Sequence, residues 1–365
     1  MDEFHRLGPE WQSLFDRIDD ALPFVTFEWA IAWWTHLRRR SGALRDALQL
    51  FVVRDSDGTA VAIAPMMYTD VRIAGVRVAR ILQPFGADPN ITEVRGMLVA
   101  AEREAEAVEA LARYVTARDA ESWVQWCGIR RQGNAFGRLE SVRPATMTRE
   151  TPTFVITLPA SWDEFRKTFP RNLRESLRKC YNSLARDGHD WSFRVIAELT
   201  ELGPAVNRLI ALHGARAART DTVQHRDCFD DPAARNFLHE VATRLAERRA
   251  VRVFQVEIAG EVVATRIGFV FRDRMYLYYS GYDPAWGRYS VMTTVVAEAL
   301  RYAITGGITG ANLSTGPDES KLRWRPTMVE YIDARVVSRH AYARVIHGVL
   351  HGSARRTLQR IARRG

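Results

Sequence analysis

The chain has 365 residues, 47% of them hydrophobic and 26% charged, with a formal net charge of +9. At roughly 150 residues per domain that is material for two packed domains, and the composition excludes a disordered or fibrous chain. No apolar run approaches the ~18 residues of a membrane span, and the acidic, broken start MDEFHRLGPEWQSLFDRIDD is unlike a signal peptide, which predicts a cytoplasmic protein.

The first half opens with an aromatic run, FEWAIAWW at 27–34. Residues 48–53 (LQLFVV) and 61–67 (VAIAPMM) then read as two strands about an Asp/Gly turn. A third strand (79–83), an irregular loop, a helix (103–116) and a fourth strand (123–127) follow. Residues 251–258 and 262–271 repeat the hairpin about Ala259-Gly260-Glu261, again followed by a strand (274–280), a glycine-containing loop, a helix (291–305) and a strand (310–314). The same unit, ββ-loop-α-β, is thus expected twice. Between the copies, Ser161-Trp162-Asp163-Glu164 is a capping box, Pro170 opens a helix over 171–185 that Gly188 closes, and a further helix runs from Pro204 to about Arg219. Pro144 and Pro152 bracket a polar stretch where the boundary is expected. This predicts units at 1–147 and 148–333 and a basic amphipathic helical tail at 334–365.

Several residues carry chemistry. Cys127, Cys180 and Cys228 are odd in number and far apart, so they read as free thiols and not as a disulfide framework or zinc ribbon. His213 lies on the apolar stripe with Val206, Leu209 and Ile210; it reads first as a packed histidine and second as a general base. Arg171, Arg174 and Arg178 share one face of their helix, either as a solvated stripe or as a grip on an anionic acceptor. Only Lys167, Lys179 and Lys321 are lysine among 52 basic residues, a bias pointing to a GC-rich genome rather than to DNA binding. Lys321, after the polar turn 316–320, suits an oxyanion or an anionic substrate group. The glycines of 305–310 follow a helix and precede a strand, the reverse of a dinucleotide fingerprint. His347 and His351 have no third ligand, so no metal is expected and both read as surface residues. The tail carries eight arginines and no acid, with Tyr342, Val345, Ile346, Val349 and Leu350 at helical spacing; packing on the body is the first reading and contact with anionic lipid or RNA the second.

The segments FEWAIAWW (27–34), RNLRESLRK (171–179), LHGARAART (212–220), YLYYSGYDPAWGRYSVM (276–292) and KLRW (321–324) together resemble the CelD/BcsL-like branch of the GNAT acyltransferases, whose double-GNAT architecture is shared with Fem aminoacyl transferases. The resemblance implies an α/β fold of tandem GNAT-like domains on a mixed sheet. It implies an acyl-CoA-dependent N- or O-acyltransferase acting on a small-molecule, saccharide or cell-envelope precursor. The alternatives it leaves are a Fem-like transferase using aminoacyl-tRNA and a non-catalytic binding protein on a degenerate scaffold. On this resemblance the donor site falls to Tyr279, Gly281, Arg288, Tyr289, Ser290, Val291 and Met292, where a helix start and a guanidinium suit a pyrophosphate. The catalytic candidates are His213, Lys321 and Asn312, and the acceptor candidates are Arg171, Arg174, Arg178 and Trp324. Two departures stand out: Val291-Met292 replaces the family's Pro-Gly, and Asn312 replaces an acidic residue.

Overall fold

The computed structural model describes residues 2–88, 90–219 and 226–350. Two short helices, α1 (Asp2–Arg6) and α2 (Gly8–Phe15), lead into α3 (Phe27–His36), whose N-cap Thr26 accepts the Trp29 N–H. Strands β1 (Leu44–Arg54) and β2 (Ala60–Ile73) form the expected hairpin, its turn held by Gly58 at φ 86° and by the Asp57 carboxylate on the Thr59 N–H. Next come β3 (Val76–Pro84), the two-residue β4 (Leu98–Val99), α4 (Glu104–Arg118), β5 (Trp123–Arg130) and α5 (Ala135–Val142).

Strand β6 (Thr146–Thr157) leads to α6 (Trp162–Thr168), where Ser161 Oγ accepts the Glu164 N–H as the capping box requires, and to α7 (Arg171–Arg186) behind Pro170. Strand β7 (Trp191–Ile196) precedes α8 (Leu199–Ala217) and α9 (Pro232–Glu247). Helix α8 begins five residues ahead of the start expected at Pro204. That proline lies in its second turn, where it withholds only the one N–H that would bond Thr200. The second copy follows as β8 (Val251–Ile258), β9 (Glu261–Phe271), β10 (Arg274–Tyr282), α10 (Val291–Thr305) and β11 (Gly310–Thr315), and α11 (Glu319–Leu322) and β12 (Thr327–Val337) close it.

All twelve strands belong to one mixed sheet, ordered β1-β2-β3-β5-β12-β6-β11-β10-β9-β8-β7, with β4 on β2. The copies are mirrored about its centre. In the first, an antiparallel β1-β2-β3 run meets β5 in parallel at Ile81↔Trp123; in the second, β8-β9-β10 meets β11 in parallel at Arg274↔Gly310. The centre is interleaved. β12, which ends the second copy, pairs with β5 of the first, while β6 pairs with both β12 and β11. The expected boundary at 147/148 therefore falls inside β6.

The largest core crosses between the copies, packing Trp11, Trp29 and Trp33 with Phe237, Phe269, Tyr276 and Tyr278. Fully burying such a side chain contributes about 1.5–3 kcal/mol. Separate cores lie beneath α7 and α10 and around α4. Residues 341–350 are helical with Tyr342, Val345 and Val349 exposed, while His351 and Arg355, Arg356, Arg360, Arg363 and Arg364 lie outside the described residues. His347, expected at the surface, is partly buried against Trp123 and bonds Arg335. Among the described residues no helix is long and apolar enough to cross a membrane.

Candidate active site

The parallel pair β10/β11 holds over only three positions, ending at Tyr276↔Asn312. Beyond it β10 shifts register against β9 between Leu277 and Ser280, and β11 shifts against β6 between Asn312 and Thr315. The two strands part there, and two cavities open at the fork. Gly281 backs the fork onto α8: a Cβ at this position would collide with the backbone of Leu212 and His213, so the close approach of the helix demands the glycine.

The first cavity, of about 380 Å³, lies at the start of α10. Ser290 precedes the helix in the left-handed region (φ 55°, ψ 38°) and makes no side-chain cap, although the sequence marks it as a good one. Its carbonyl takes the Thr293 and Thr294 N–H groups. The N–H groups of Val291 and Met292, which line the cavity, belong to the first turn and so have no acceptor within the helix. Arg323 enters beside them, 3.4 Å from Thr293 Oγ1. Val296, Leu313 and the buried Trp324, which is stacked on Phe165, give it an apolar side. Unbonded amides, a guanidinium and an apolar channel match the chemistry of an acyl donor with a phosphate-bearing handle.

The second cavity, of about 410 Å³, is polar and takes residues from both copies. It shares Arg216, Arg266, Ser280, Ser320 and Lys321 with the first. One of its carboxylates, Glu93, comes from the loop between β3 and β4 and accepts hydrogen bonds from Tyr276 Oη at 2.5 Å and Ser314 Oγ at 2.6 Å. Burial pushes the Glu93 pKa up, against those two bonds and the charges of Lys321 and Arg266. Burial likewise pushes Arg266 down to about 10, which leaves it charged at neutral pH. The β10 register shift brings the adjacent Tyr278 and Tyr279 hydroxyls onto the Ile91 and Asn90 carbonyls, and Trp33 and Thr92 bond Asp88. Together these contacts hold the Glu93 loop to the fork.

Lys321 lines both cavities, but its ammonium is engaged by the Thr315 and Gly316 carbonyls and by Asp318 at 2.8 Å. His213 lines the second cavity with both ring nitrogens engaged: Nδ1 lies 3.0 Å from the Ser280 carbonyl and Nε2 accepts the Cys228 N–H at 3.3 Å. The ring also packs edge-on to Phe229 and Tyr279, the structural role its apolar stripe favours. Tyr279 sits in the second cavity and not with the donor-side residues. Asn312 lines neither; its side chain accepts the Ser314 N–H, and it borders a separate cavity with Tyr331 and Val329. Arg288 is exposed over the Tyr289 ring, and Tyr289 bonds Asp187 and His189, so neither lines the cavities. Arg171, Arg174 and Arg178 form an exposed face of α7 away from the lining, with Arg171 paired to Glu175. The residues that sequence reasoning missed are Glu93, Arg216, Arg266 and Arg323. Arg266 carried a signal, a charge inside an otherwise apolar strand; Glu93, in an irregular loop, carried none. Among the described residues no cluster of His, Cys, Asp and Glu is arranged to hold a metal.

Residues 171–322 match the acetyltransferase (GNAT) domain family Acetyltransf_6, so this chain carries an acyltransferase domain. No curated protein matches by sequence. Among solved structures, FemX shares 10% identity with a TM-score of 0.60 over 89% of this chain and 95% of its own. A conserved protein of unknown function from Bacteroides thetaiotaomicron shares 11% at 0.54, over 91% and 97%. The C-terminal domain (DUF2156) of a chain assigned as a lysylphosphatidylglycerol synthetase from Agrobacterium fabrum shares 14% at 0.53, over 93% and 94%. At these identities the likeness is one of fold: a mixed α/β architecture of two GNAT-like units.

Proposed function

We propose that the chain is a CelD/BcsL-like acyltransferase that takes an acyl group from acyl-CoA in the first cavity and passes it to an amine or hydroxyl acceptor in the second. The observation that carries this reading is the common wall of the two cavities, which brings a donor site and an acceptor site to one place. Adjacent, oriented reactants need no covalent enzyme intermediate. In the bound complex the Val291 and Met292 N–H groups and Arg323 hold the donor's phosphates, and Trp324 and Leu313 flank its acyl arm. Glu93 takes the proton that the acceptor releases as its lone pair bonds the acyl carbon. It returns that proton to the sulfur that leaves as the C–S bond breaks. Arg266, on the common wall, stabilises the charge that develops on the carbonyl oxygen. Lys321, tied to its own turn, positions this wall.

Calorimetric titration with acetyl-CoA, longer acyl-CoAs and charged tRNA tests the reading. Acyl-CoA is expected to bind, Arg323→Ala to weaken it about tenfold, and Arg288→Ala to leave it unchanged. Absence of acyl-CoA binding, or binding of charged tRNA alone, would overturn it.

A further inference from the structure

Among the described residues, the lining of the second cavity is unbalanced in charge: Arg95, Arg149, Arg226, Arg266 and Lys321, together with Arg216, face three carboxylates, Asp88, Glu93 and Asp318. Those acids are already committed. Asp88 accepts from the Ile91 and Thr92 N–H groups, Thr92 Oγ1 and Trp33 Nε1; Asp318 is paired with Lys321; and Glu93 holds Tyr276 and Ser314. Among the described residues Arg95, Arg149 and Arg266 have no carboxylate within ion-pair distance. Arg95 uses Nε and one terminal nitrogen on the Phe85 and Pro84 carbonyls and Gln83 Oε1, which leaves its other terminal nitrogen uncommitted. Arg266 donates to the Leu277 carbonyl at 3.2 Å, and its Nε is buried without a partner. Like charges that converge on one cavity repel one another, a cost that an anion carrying several acceptor oxygens offsets through forked hydrogen bonds.

We infer that the acceptor is itself an anion: a small amine or alcohol bearing a phosphate or carboxylate group, which Arg95 and Arg149 hold while its nucleophile rests at Glu93 and Arg266 faces the reacting carbonyl. This rests on the second cavity being the acceptor site. The step is the one given above; the anionic group takes no part in bond making and serves only to orient the nucleophile.

Two measurements on the full chain test this. In the first, thiol release from acetyl-CoA is followed with matched acceptors: glucosamine against glucosamine 6-phosphate, ethanolamine against phosphoethanolamine, and an amino acid against its amide. Each anionic member is expected to exceed its neutral partner in kcat/KM by about tenfold or more. Arg149→Gln, at an exposed position, and Arg95→Gln should each shrink that ratio without changing the Kd for acetyl-CoA. In the second, thermal melts with acetyl-CoA saturating compare inorganic phosphate and succinate with chloride at matched ionic strength. Phosphate or succinate should raise Tm in wild type and not in Arg149→Gln, and whichever acts names the group. Equal use of neutral acceptors, or melts that neither anion shifts, would overturn the inference while acetyl-CoA binding left the acyltransferase reading standing. Loss of acetyl-CoA binding in wild type would instead fell that underlying reading.

Discussion

Glu93 concentrates the proposed chemistry in one carboxylate. A base whose pKa burial has raised loses activity as pH falls through that raised value, so the acidic limb of the rate profile should lie above the ordinary carboxylate range. Glu93→Gln should lower kcat by about 10²-fold or more and erase that limb, with the acyl-CoA Kd unchanged, as steady-state kinetics across pH will show. Glu121 is a purely structural counterpart. Burial first, and then the Asp119 charge, push its pKa to about 7, and its Oε2 has no hydrogen-bond partner. The folded-state value lies above the unfolded value of about 4.3. Its contribution to stability is therefore complete below that pH and is lost as pH rises through about 7. Glu121→Gln should stabilise the chain at pH 8 by on the order of 2 kcal/mol, with the gain shrinking as pH falls below about 7 and vanishing below about pH 4, as denaturant melts across that range will show. At this scale the sequence is least legible. Glu93 is defined by Tyr276 and Ser314, which are 183 and 221 residues away in the chain. His213 shows on its apolar stripe that it is packed, but not that Ser280 and Cys228 engage both its nitrogens.

Among the elements, the helices and hairpins were readable because their causes are local: the Ser161 cap, the Asp57-Gly58 turn and the period-two runs act over a few residues. What escaped was set by neighbours. Helix α8 passes through Pro204 because Leu202, Ala205, Val206 and Leu209 bury one continuous apolar face, which outweighs a single missing backbone bond. Ser290 was readable as the residue before α10, yet its left-handed backbone leaves its side chain out of the cap. The contact of α8 with β10 has the tightest tolerance. Gly281→Ala would drive a methyl group into the Leu212–His213 backbone, so α8 must move away from the fork. A loss of about 1–3 kcal/mol or more is expected in urea melts, together with weaker acyl-CoA binding on the proposed reading, because Ser280 and Tyr282 on either side line the first cavity.

For the molecule as a whole, duplication was visible in element order, and interleaving was not, because the partners of β6 and β12 depend on contacts between distant parts of the chain. A chain cut before Thr327 lacks the strand that joins β5 to β6. Such a truncation should lose cooperative unfolding in both halves, seen as loss of the calorimetric transition, whereas two independent domains would keep the first half's transition intact. The central strand also governs the order of assembly. Gln125 and Ala334, in contact across β5 and β12, stand 209 residues apart, so β12 can dock only after almost all the described chain has been synthesised. Loop closure over that span is expected to make its docking slow. Until it docks, β5 and β6 present open edges to neighbouring chains, so the nascent protein is expected to be most prone to aggregate before β12 has emerged.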